Sequence, residues 1–124
     1  MPRSSSRRPA RSTVSRARAV RLILSTAPEK TAGRLARTLV SERLAACVHV
    51  VPGVSSTYRW KGRVETAAES LLVVKTTGRG VRKCLGRLAE LHPYEVPEGL
   101  AVNLASGLEA YLDWIAGCCA ESTP

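Results

Sequence analysis

The chain has 124 residues, enough for one hydrophobic core and too few for two, so a single domain is expected. Its formal charge of +9 suggests a nucleic-acid binder until the charges are placed. Seven arginines (Arg3, Arg7, Arg8, Arg11, Arg16, Arg18 and Arg21) precede the first acid, Glu29, whereas from residue 22 onward twelve Lys and Arg face ten Asp and Glu, so the basicity belongs to an N-terminal tail.

Residues 1 to 18 are rich in Arg, Ser and Pro and nearly empty of large apolar side chains. Such a segment buries too little surface to offset the entropy of ordering, and a disordered basic tail is expected ahead of a domain from 19 to 119. An Arg- and Ser-rich stretch without acids also fits an organelle transit peptide. From 19 to 25, Val20, Leu22 and Leu24 alternate with Arg21, Ile23 and Ser25, the period of a strand. Thr26 and Glu29 stand as a capping box with Pro28 in the first turn, opening a helix whose stripe of Ala32, Leu35, Ala36, Leu39, Val40 and Leu44 ends near Ala46.

Cys47 to Lys61 is rich in Val, Thr, Tyr and Trp, and Pro52-Gly53 inside it predicts a bulge. Lys61-Gly62 predicts a tight reversal into a second strand from Arg63 to Thr76. Val81, Cys84, Leu85, Leu88 and Leu91 follow at helical spacing until Pro93, which disfavours helical geometry at His92. Val96 to Leu104 reads as a fourth strand, and Ser106 with Glu109 as the cap of a last helix carrying Leu108, Tyr111, Leu112 and Ile115. The class is α+β, a ferredoxin-like β-α-β-β-α-β sheet with a long central hairpin and a C-terminal helix. Right-handed crossovers put both main helices on one face of the sheet. Hairpin strands of about 14 residues reach about 45 Å, well past the shorter outer strands, and such unpaired edges call for an oligomer.

Four cysteines (Cys47, Cys84, Cys118 and Cys119) follow neither a secreted disulfide framework nor a zinc spacing, and reduced thiols in the cytoplasm are expected. No apolar run approaches the roughly 18 residues of a membrane span. No glycine-rich phosphate loop or Ser-His-Asp set is present, so an enzyme is not expected. An RNA-binding sheet is disfavoured by five aromatics, none in a suitable run on the first or third strand, which leaves only nonspecific nucleic-acid contact through the tail.

Two segments are the most telling: Glu42-Arg43-Leu44-Ala45-Ala46-Cys47 and, further on, His92-Pro93-Tyr94-Glu95-Val96-Pro97-Glu98. With Val51-Pro52-Gly53-Val54 and Ser56-Thr57-Tyr58-Arg59-Trp60-Lys61-Gly62, they closely resemble the CutA family of divalent-cation-tolerance proteins, over roughly residues 20 to 116. The resemblance implies a homotrimer with hairpins paired between subunits, a role in the response to metal ions or, as the alternative, in small-molecule-responsive signalling, and copper(II) or another divalent metal as a candidate ligand. His92 and Glu98 are the candidate metal ligands. Copper-binding members carry Cys where Ser25 stands and a second His where Leu91 stands, so two of three donors are replaced. Cys47 is a candidate thiol, or else a small buried hydrophobe. Lys75 with Cys47, Tyr58, Trp60, Glu65 and Tyr94 is expected to line a pocket between subunits, or to fix the interface by cation–π or ion-pair contact.

Overall fold

A computed structural model of the chain describes residues 16, 17 and 19–119. The elements run β1 (Val20–Ala27), α1 (Glu29–Ser41), β2 (Cys47–Trp60), β3 (Arg63–Thr77), α2 (Val81–Leu91), β4 (Leu100–Asn103) and α3 (Glu109–Cys118). The sheet order is β2-β3-β1-β4, with β3 antiparallel to both β1 and β2 and β4 antiparallel to β1. This is the expected ferredoxin-like arrangement: β1 and β2 run parallel, split by β3.

Alternation along β1 decides which side chains meet the helices. Ile23, Ser25 and Ala27 are buried, and Ile23 and Ala27 join Leu72 and Val74 of β3, Ala32, Leu35 and Leu39 of α1, and Cys84 and Leu88 of α2 in the main core. Val20 falls on the opposite face, where Ala46, Leu112 and Ile115 form a second, smaller cluster beneath α3. Among the described residues no helix packs on the remainder of that face: Leu22, Leu24, Leu71 and Val73 are half-buried, and Leu100 and Val102 are exposed.

The hairpin has the predicted form. Lys61 and Gly62, at φ 49° and 79°, close a two-residue turn between the paired Trp60 and Arg63. The register slips between Val51 and Val54, with Gly53 at φ 74°. Only residues 70–77 of β3 pair with β1, so residues 63–69 have β2 as their sole strand partner among the described residues and project beyond the sheet.

Several local expectations are corrected. Neither capping box forms: Pro28 and Leu108 occupy the N-cap positions of α1 and α3 without a side-chain cap. Thr26 is instead committed to β1 opposite Leu71, and the Glu29 carboxylate reaches across to accept the Gly53 N–H at 2.8 Å. The α1 helix stops at Ser41 and not near Ala46, because Arg43 turns left-handed at φ 61° and the Leu44 and Ala45 N–H groups fold back onto the Leu39 carbonyl. β4 is confined to Leu100–Asn103, since Pro97 cannot donate to a ladder.

The tail boundary also moves. Residues 1–15 and 18, where most of the expected disorder falls, lie outside the described residues. Arg16 and Ala17, however, are helical and buried. Ala17 packs beside Leu112 and Ile115, and the Arg16 guanidinium pairs with Asp113 at 3.1 Å and Glu109 at 3.2 Å. Tertiary contact with α3 orders what composition alone assigned to the tail. No helix among the described residues is long and apolar enough to cross a membrane.

Candidate functional site

Pro93 ends α2 at Leu91 and leaves His92 extended, at φ −78° and ψ 136°, with its ring turned inward and only 8% exposed. Its Nε2–H donates to the Thr26 carbonyl at 2.7 Å, and its Nδ1 accepts the Tyr94 N–H at 3.2 Å. One partner only accepts and the other only donates, so the arrangement selects the Nε2–H tautomer and engages both ring nitrogens. The Tyr94 ring lies 4.7 Å from the imidazole, and its hydroxyl donates to Glu69 Oε2 at 2.6 Å. Burial, followed by this bond to Glu69 and the charge beside it, pushes the Tyr94 phenol up to about 12. Glu69, 5% exposed opposite the bulge residue Val54, is the site residue that sequence reasoning missed. Its signal is a lone carboxylate where β3 passes from the exposed hairpin into the sheet.

The expected metal ligands do not form a donor set in this subunit. Glu98 lines a shallow groove with Leu85, Leu88 and Ala89. Ser25 is fully buried, with its hydroxyl toward the Thr26 carbonyl, and Leu91 packs against the main core. Among the described residues no group of three or more His, Cys, Asp or Glu side chains is placed to hold a metal ion. A metal at His92 would have to displace one of its two hydrogen bonds, so the residues of this subunit alone do not fit a resident copper centre.

The six residues expected to line a pocket fall into three places. Tyr58, Trp60 and Glu65 sit at the exposed hairpin tip, with Tyr58 directly opposite Glu65. Tyr94 sits midway, against Glu69. Cys47 and Lys75 pair at the far end of the hairpin, about 33 Å along the strand from Glu65 at 3.3 Å per residue. Within one subunit these groups cannot share a pocket.

Lys75 has partners of its own. Its Nζ donates to the Tyr111 hydroxyl at 2.8 Å, stands 5.1 Å from that ring's centroid, and lies 3.5 Å from each nitrogen of His49. Tyr111 stacks on Trp114 at 5.6 Å, so within the subunit α3 supplies aromatic partners for Lys75. The family model described as CutA1 divalent ion tolerance protein matches residues 21–118, nearly all of this architecture. The chain belongs to this family.

The family's members include the divalent-cation tolerance protein CutA of Thermus thermophilus, 50% identical over 95 residues that make up 76% of this chain and 92% of that protein. The crystal structure of CutA from Xylella fastidiosa superposes with a TM-score of 0.79 at 47% identity, covering 82% of this chain and 98% of that one. A chloroplastic CutA protein of Oryza sativa is 41% identical over 102 residues, and there the match spans only 58% of the relative's length.

Proposed function

We propose that the chain acts as a closed homotrimer serving divalent-cation tolerance in the cytoplasm, as a binding scaffold and not as an enzyme. One observation carries the assembly: the open sheet face of Leu22, Leu24, Leu71, Val73, Leu100 and Val102 lies beside a hairpin whose outer half pairs with no further strand among the described residues. A hairpin reaching onto a neighbour's sheet is a head-to-tail contact, which must close into a ring to avoid a filament. The CutA1 family membership favours a ring of three. A trimeric mass by sedimentation is expected, reduced to monomer by Leu24→Glu; a monomeric parent chain would refute the reading. In cells lacking the protein, the parent chain is expected to restore growth under excess divalent cation and the monomeric variant to fail.

Copper(II) enters as a ligand to be tested. Because both His92 nitrogens are occupied, titration is expected to show no stoichiometric binding that depends on this side chain. Tight binding abolished by His92→Ala would instead restore His92 and Glu98 as ligands. The RNA-binding alternative gains no support, as Tyr58, Trp60, Tyr94, Tyr111 and Trp114 all lie off the central strands β1 and β3.

A further inference from the structure

From the geometry around Lys75 we infer that Lys75, Tyr111 and His49 form a binding site for a small oxyanion, a compact carboxylate or phosphate group. Lys75 is half-buried at the end of β3, yet the ion pairs among the described residues engage Arg16 and Arg87 and none of them engages Lys75. An ammonium has three N–H donors. The Tyr111 oxygen takes one at 2.8 Å. The two His49 nitrogens are equidistant at 3.5 Å, so the single lone pair of the neutral ring takes a second only in a long, weak bond. At least one Lys75 N–H and the Tyr111 hydroxyl proton are therefore left without a close acceptor, and no described carboxylate lies within ion-pair distance of Nζ. An ammonium with a spare donor beside a hydroxyl that can also donate suits an anion, since charge-assisted bonds are about twice as strong as neutral ones.

The donors are held in place before any ligand arrives. Lys75 is fixed by ladder pairing to Leu22 on one side and Cys47 on the other. Tyr111 is fixed by its stack on Trp114 and by burial of the adjacent Leu112 and of Ile115. Rigid placement lowers the ordering cost of binding. All three residues belong to one subunit, so the site does not depend on the trimer reading, although it opens onto the face where a neighbour would pack.

The test is calorimetric titration of the full chain in its native assembly with inorganic phosphate and, separately, with succinate, at low and high salt. The same titrations are made on Lys75→Gln and on Tyr111→Phe, which keeps the ring and its stacking, with the mass of every variant measured. At least one probe is expected to bind, more weakly as salt rises, with about a tenfold loss in Lys75→Gln and a severalfold loss in Tyr111→Phe. His49 ring resonances are expected to shift on saturation. Preference for phosphate would point to a phosphorylated ligand, and preference for succinate to a carboxylate. No binding of either probe at millimolar concentration by correctly assembled protein would overturn the site. So would undiminished binding by Lys75→Gln, whatever the oligomeric mass.

Discussion

Tyr94 shows how one side chain can hold a turn against a sheet. Its backbone N–H orients His92 and its hydroxyl satisfies Glu69, a nearly buried carboxylate. The phenol is held up at about 12 against an ordinary 10, so its stabilising effect is complete below about pH 10 and is lost as pH rises through about 12. In a spectrophotometric titration one phenolate is expected to appear last, and Tyr94→Phe should remove that late step. The same substitution takes away the hydroxyl that serves Glu69 and is expected to cost about 1–3 kcal/mol in thermal or denaturant unfolding. Cys84 is shielded in a different way. Desolvation, with the nearby Cys119 as a lesser cause, pushes its thiol up to about 11, and it is fully buried in the main core. Mass-spectrometric mapping of native-state alkylation should find Cys84 unmodified until the protein unfolds.

Among the elements, the hairpin carries the clearest backbone demands. Lys61 and Gly62 both adopt left-handed geometry, which suits glycine and asparagine far better than other residues. Gly62→Ala is expected to lower stability by about 1–2 kcal/mol, whereas Lys61→Asn should raise it by a few tenths, both read from the midpoint of thermal unfolding. The bulge is braced by a helix, as Glu29 at the start of α1 accepts the Gly53 N–H. At the other end of the molecule α3 depends on Arg16, whose side chain is 2% exposed between Glu109 and Asp113. Arg16→Ala should speed amide exchange across Glu109–Cys118 while leaving α1 and α2 protected. Equal protection in both proteins would show that α3 holds by apolar packing alone.

At the scale of the whole molecule, the sheet divides the labour. One face is closed by α1 and α2 around the main core, and among the described residues the other is covered by α3 at the Val20 end. Tyr58 and Trp60 are 42% and 36% exposed at the hairpin tip, and in the proposed trimer they would serve as aromatic anchors. Tyr58→Ala with Trp60→Ala is expected to loosen the assembly, measured as a higher dissociation constant by sedimentation. An unchanged constant would place the contact on the flat sheet face instead.

The order of strands and helices, the bulge at Pro52-Gly53, the reversal at Lys61-Gly62 and the end of α2 before Pro93 were legible in the amino-acid order. Each depends on side-chain period or backbone stereochemistry within a few residues. The site was legible only in part. His92 was identified from its place beside Pro93, but its bonds to Thr26 and Tyr94 were not, and Glu69 stands 25 residues from the tyrosine that binds it. Lys75 was read as lining a pocket between subunits, and within its own subunit it meets Tyr111, 36 residues away, a partner that its sequence surroundings did not indicate. Composition likewise assigned Arg16 to the tail, whereas α3 supplies its carboxylates. Local sequence thus determined the elements, and tertiary structure alone decided their partners. A hydrogen bond between distant residues exists only once the sheet and helices have brought its donor and acceptor within about 3 Å.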